Sequence, residues 1–71
     1  QMTFFEWLKT QVNRNDEIGE IATDIIDDAR INNLDYQTAD EWKRRVWFQS
    51  SDRNVRQAFT SAKNEYEKLT D

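Results

Sequence analysis

The sequence predicts an all-α protein, and three observations carry that prediction. Its 71 residues contain no proline and a single glycine, Gly19, so glycine-turned β-hairpins have little support. Apolar residues recur every three or four positions along nearly the whole chain. Two threonine–glutamate pairs, Thr3 with Glu6 and Thr38 with Glu41, stand where such runs begin. In this spacing the threonine oxygen takes an orphan amide of the first helical turn and the glutamate reaches back to the threonine N–H.

The elements follow in order. From Thr3 a first helix runs to about Val12, with Phe4, Leu8 and Gln11/Val12 along one face and Phe5 and Trp7 widening it. Asn13 to Asn15 reads as a turn. A second helix starts at Asn15 or Asp16 and carries Ile18, Ile21, Ala22, Ile25 and Ala29 as its inward stripe, broadened by Ile26. Asn32-Asn33 marks the next turn, with Ile31, Leu34 and Tyr36 available to pin the connection to the core. The third helix, capped at Thr38, runs to about Gln49 and points Ala39, Trp42 and Val46 inward. Trp47 and Phe48 then lie about 100° and 200° round the wheel from Val46, so both cannot share its face and one of them is expected to be exposed. Ser51 or Asp52 caps the last and longest helix, where Val55, Phe59, Ala62, Tyr66 and Leu69 keep a four–three spacing.

Length and composition limit what such a chain can do. A domain of this size hides only roughly 60% of the surface its unfolded chain exposes, which argues for one domain, residues 2–71, and against a deep substrate cavity. Gln1 ahead of Met2 reads as a residue added upstream of the natural start. With no cysteine and no histidine, thiolate zinc sites, thiol nucleophiles and the commonest general base are all missing. Carboxylates are plentiful, but nothing in so small a bundle would bury one and raise its pKa for acid–base work. The sequence therefore predicts no enzyme, no cofactor, no metal and no small-molecule substrate. The longest uninterrupted apolar stretch is Val46-Trp47-Phe48, far short of a membrane span or a signal-peptide core, so the expected location is the cytoplasm.

Charge is unevenly distributed. Residues 1–36 carry a net −5 and residues 37–71 a net +1, within a total of −4. Lys43, Arg44, Arg45, Arg53 and Arg56 form a basic segment opposed within it only by Asp52. Glu17, Glu20, Asp24, Asp27 and Asp28 form the acidic counterpart on the second helix. Asp27 and Asp28 fall near a helix C-terminus, where the macrodipole disfavours negative charge, so a basic neighbour is expected there.

Three blocks of sequence carry a family resemblance: Thr3-Phe4-Phe5-Glu6-Trp7-Leu8, Asp16-Glu17-Ile18-Gly19-Glu20-Ile21-Ala22-Thr23-Asp24, and Phe59 to Ala62 with Tyr66-Glu67. Together they resemble the YozE family, small bacterial proteins with a fold similar to sterile alpha motif (SAM) domains. Two features of that family are absent: a Phe-Pro step after the second helix, where this chain has Ile31-Asn32-Asn33, and a tryptophan in the last helix, where it has Lys63. The resemblance implies a compact four- or five-helix SAM-like bundle and brings no catalytic residues.

Two functional classes follow. In the first, the chain is a protein-interaction module that binds a protein partner, or a second copy of itself, through its acidic and basic surfaces. The partner-facing surface is then Lys43, Arg44, Arg45, Arg53 and Arg56 around Trp47 or Phe48, since interface hot spots are rich in aromatics and arginines. The alternative is a nucleic-acid-binding domain using the same cations, with Trp47 or Phe48 for base stacking. A pI near 4.7 weighs against this class. A third arrangement removes the surface altogether, with both aromatics buried and the arginines neutralising the acidic helix of the same molecule. The expected core is Phe5, Leu8, Ile18, Ile21, Ala22, Ile25, Trp42, Val46, Phe59, Ala62 and Tyr66. Gly19 is expected to let an aromatic of the first helix approach the second.

Overall fold

The computed structural model describes residues 1–70, apart from the side chain of Thr70; Asp71, the last residue of the expected domain, lies outside the described residues. Four helices, α1 (Phe4–Lys9), α2 (Glu17–Asn32), α3 (Ala39–Gln49) and α4 (Arg53–Thr70), surround one core, and among the described residues there is no strand. The chain is an all-α bundle.

Local chemistry sets the helix ends. Thr3 and Thr38 both form complete capping boxes, with Glu6 and Glu41 respectively. Asp16 caps α2 by accepting from the Gly19 N–H at 3.0 Å, and Asp52 accepts from the Asn54 and Val55 N–H groups at the start of α4. α2 ends where Asn33 takes the left-handed conformation, φ 53°, which asparagine tolerates better than most residues. The next amide, Leu34 N–H, then closes on the Ala29 carbonyl at 2.9 Å.

α1 ends at Lys9 and not near Val12. The Thr10 N–H closes on the Trp7 carbonyl and the Gln11 N–H on the Leu8 carbonyl, which tightens the chain into three-residue turns. The Thr10 hydroxyl also donates to the Trp7 carbonyl at 2.6 Å and competes with continuation of the helix.

The largest fully buried side chains are Trp42, Phe4, Phe59 and Leu8. Phe4 meets Phe59 and Tyr66 edge-on, each at 5.5 Å between ring centroids, and Phe5 stacks on Trp42 at 5.8 Å. Such pairs add about 0.5–1.5 kcal/mol each beyond the area they bury. The buried Trp42 indole N–H donates to the Tyr36 carbonyl at 2.9 Å, so this large ring brings no unpaired polar group into the core. Ten of the eleven expected core residues are buried, and Tyr66 packs against them half-buried. Phe4, Trp7, Ala29 and Ala58 complete the core.

Three expectations need correction. Ile31 and Leu69 are largely exposed: Ile31 lies about 200° round α2 from Ala29, off the inward stripe, and Leu69 sits in the last turn of α4. Gly19 meets backbone and not an aromatic. A Cβ built there would stand 2.0 Å from the Arg14 carbonyl oxygen, so the loop between α1 and α2 lies directly on the first turn of α2. Arg14 holds that loop down by spanning Asp16 at 2.8 Å and Glu65 on α4 at 2.7 Å.

Candidate functional site

α3 and the start of α4 place the basic segment, and α4 decides how it is used. Returning along α3, α4 sets Phe59 edge-on to Trp47 at 5.7 Å. It also lays the Arg56 guanidinium over the Trp47 ring at 5.1 Å, while the Lys43 ammonium lies 5.2 Å from the same ring. Trp47 is therefore half-buried and flanked by cations. Phe48, one residue on, points away from all of this and is 83% exposed.

The five cations divide into two groups. Arg45 grips Asp28 with two parallel hydrogen bonds, Nε to Oδ2 and Nη2 to Oδ1, both 2.9 Å. Hydrogen bonding to Arg45 holds the Asp28 carboxyl below its ordinary value, and the same bonds raise the guanidinium. This pair supplies the basic neighbour that the C-terminal half of α2 called for, and Arg30 adds a longer contact to Asp27 at 3.6 Å. Arg56 donates to the Ser50 carbonyl at 3.0 Å and the Trp47 carbonyl at 3.2 Å. The last turn of α3 has no basic residue of its own, so Arg56 supplies from α4 the positive charge that its exposed carbonyls favour. Arg45, Arg56 and Trp47 are thus engaged within the fold.

Lys43, Arg44 and Arg53 stay exposed, and among the described residues Arg44 and Arg53 have no ion pair. Arg44 stands one helical turn before Phe48 on the same face of α3. Tyr36, from the connection before the helix, closes one side. Tyr36, Glu41, Arg44, Arg45 and Phe48 together line a shallow groove of about 330 Å³. Glu41 stands in it as a carboxylate, held ionised because it accepts from the Thr38 and Gln37 N–H groups, which lowers its pKa. Tyr36 was expected only to pin the chain, and nothing in its local sequence marks it as a groove wall.

The acidic residues divide in the same way. Asp28 is half-buried and taken up by Arg45, while Glu17 accepts a bond from Ser61 at 3.2 Å. Glu20 and Asp24 are exposed one turn apart, with no cation partner among the described residues. Partial burial, then the like charges of Asp27 and Glu20, push the Asp24 carboxyl above its ordinary value. Among the described residues no three His, Cys, Asp or Glu side chains come together as a metal site.

No protein family, curated protein sequence or solved structure matches the chain. Among the described residues no helix is long and apolar enough to cross a membrane. What the domain does must be argued from its surface.

Proposed function

We propose that this domain is a non-catalytic, cytoplasmic protein-interaction module, a SAM-like bundle of the YozE type, whose principal contact surface is the outer face of α3. The observation that carries the reading is Phe48. A phenylalanine 83% exposed forfeits the roughly 1.5–3 kcal/mol that burying it would contribute, and it stands beside Arg44, which has no ion pair among the described residues. An aromatic and an arginine on one rigid helical face are the residue types in which binding energy concentrates. Glu20 and Asp24 on α2 offer a second surface of opposite sign, suited to a protein partner or to a second copy of the chain.

The nucleic-acid alternative is weakened by the same geometry. Arg45 and Arg56 are committed to partners within the chain, which leaves Lys43, Arg44 and Arg53 against a net charge of −4. Binding to labelled oligonucleotides at physiological salt should then fall no tighter than the non-specific range of roughly 10⁻⁴–10⁻⁶ M. Sub-micromolar affinity with a steep salt slope would reverse the ranking. The direct test of the interaction reading compares proteins captured from native extract by the tagged domain with those captured by its Phe48→Ala and Arg44→Glu variants. A band lost in both variants supports the α3 surface. A capture profile unchanged in both removes it.

A further inference from the structure

Where α2, α3 and α4 meet, a second cavity of about 210 Å³ opens to solvent, floored by Ile21 and Ile25 of α2, Val46 of α3 and Val55 of α4. It is smaller than the roughly 300–1,000 Å³ of ordinary small-molecule pockets and closer to the size of one long side chain. Four of its lining residues are apolar, and Gln49, Ser50 and two carboxylates, Asp24 and Asp28, complete the lining. Asp28 is held by Arg45, whereas Asp24 has no cation partner among the described residues. Asp24 also borders both adjoining grooves along α2, so its charge commands the mouth of the cavity. Ile21, Asp24, Ile25 and Asp28 lie at successive spacings of three, one and three, a single stripe of the helix with apolar and acidic positions side by side.

We propose that this cavity receives a lysine side chain of a partner protein, its alkyl stem on Ile21, Ile25, Val46 and Val55 and its ammonium on Asp24. The inference rests on reading the domain as a protein-binding module and names the chemistry its acidic face selects. A lysine presents a long apolar stem ending in a compact charge, which suits an apolar slot with one carboxylate at the rim. Arginine is the poorer fit, since its broad planar head must meet Asp24 flat across both carboxylate oxygens, whereas the compact ammonium of lysine needs only one of them at the end of a narrow slot. Partial burial, then the like charges of Asp27 and Glu20, raise the Asp24 pKa, and a cation placed beside it would offset both. Among the described residues three of the chain's four lysines have contacts within the fold, Lys9 over Phe5, Lys43 over Trp47, and Lys63 beside Asp40 and Glu67, which favours a partner's lysine over one of the chain's own.

The test is an amide NMR titration of the intact chain with n-butylammonium, which carries the lysine stem and charge and nothing else. Saturable shifts centred on Ile21, Asp24, Ile25, Val46 and Val55 are expected, with no matching response to ammonium chloride or to butyrate. Asp24→Asn should weaken binding about fivefold, the weight of a part-exposed ion pair near 1 kcal/mol. Asp35→Asn, which removes the same charge away from the cavity, should leave it unchanged. Shifts spread evenly over the acidic face, an equal response to ammonium, tighter binding of n-butylguanidinium, or indifference to Asp24→Asn would each overturn the proposal. So would an Asp24-dependent dimer of the isolated chain in sedimentation, which would make a second copy the occupant. Capturing partners with the Asp24→Asn variant separates the two readings. A partner lost with Phe48→Ala but kept with Asp24→Asn ends the lysine assignment alone, and one kept with both ends the surface reading as well.

Discussion

Gly19→Ala gives the sharpest test of how this bundle is assembled, because it sets helix propensity directly against packing. Gly19 lies in the first turn of α2 and has no positive φ, so its backbone would accept any residue. On propensity alone, alanine should stabilise the helix by up to about 1 kcal/mol. The added Cβ, however, would stand 2.0 Å from the Arg14 carbonyl oxygen and 2.7 Å from its carbon, atoms of a backbone that cannot rotate aside as a side-chain tip can. The loop must lift. Overpacking of this kind costs about 1–3 kcal/mol or more, and lifting the loop also strains the Arg14–Glu65 bridge, worth at most about 1 kcal/mol at its exposure. The expected net loss is about 2 kcal/mol, a large share of the roughly 3–5 kcal/mol that a core this small supplies. Thermal unfolding followed by circular dichroism should therefore show a fall in Tm of about 8–16 °C. Arg14→Ala, which removes the bridge but keeps the carbonyl, should cost less than half as much. A Gly19→Ala variant as stable as the parent, or one no worse than Arg14→Ala, would refute the close approach as the reason for the glycine.

Other perturbations separate core from surface. Phe59→Ala removes a fully buried ring that meets both Phe4 and Trp47 and should cost about 3–5 kcal/mol, leaving little cooperative unfolding in a urea titration. Phe48→Ala should change stability by no more than about 0.5 kcal/mol in the same titration, so any loss of partner capture cannot be blamed on unfolding. The Asp28 carboxyl, held low by Arg45, contributes stability that is present above its unfolded pKa of about 3.9 and lost as pH falls through its lower folded value. Melting profiles between pH 7 and pH 2 should show that acid-side loss diminished in Asp28→Asn, measured against its own neutral-pH stability.

What the sequence made legible was whatever depends on a few neighbouring residues. Both capping boxes are local reciprocal bonds, and the Asn32-Asn33 turn reflects a left-handed residue that only a few side chains accept, so each could be read from short spacings. The inward stripes of α2 and α3 followed from the helical period. Periodicity failed where a helix outruns its neighbours: α4, with 18 residues, spans about 27 Å, close to the 28 Å long dimension of the whole molecule, so Leu69 keeps its place in the pattern with nothing left to cover it. Gly19 signalled a close approach, but the approaching group was set by the path of a loop. A backbone carbonyl leaves no trace in residue type.

The candidate surface was legible as a set of residues and not as an arrangement, for a physical reason. Periodicity placed Trp47 and Phe48 about 100° and 200° round α3 from Val46, so that both could not share its face, but did not say which of them α4 would cover. Once Phe59 and Arg56 lie against Trp47, Phe48 is left uncovered on the rim of the groove with Tyr36 and Arg44. The same asymmetry divides the charges. Arg45 reaches Asp28 where α2 and α3 come together, and Arg56 reaches the exposed carbonyls at the end of α3, so the cations nearest a helix junction are used to hold it. Arg44 and Arg53 are exposed away from those contacts, whereas Glu20 and Asp24 stand beside the α2–α4 groove with no cation partner among the described residues. Internal neutralisation and exposure to solvent, which the sequence offered as rivals, are therefore both present, divided residue by residue. A variant that reversed one engaged charge, such as Arg45→Glu, should thus destabilise the fold by setting two carboxylates against each other, whereas Arg44→Glu should leave the melt intact and act on binding alone. Equal melting temperatures for the two would mean that the division drawn here between structural and presented charge is wrong.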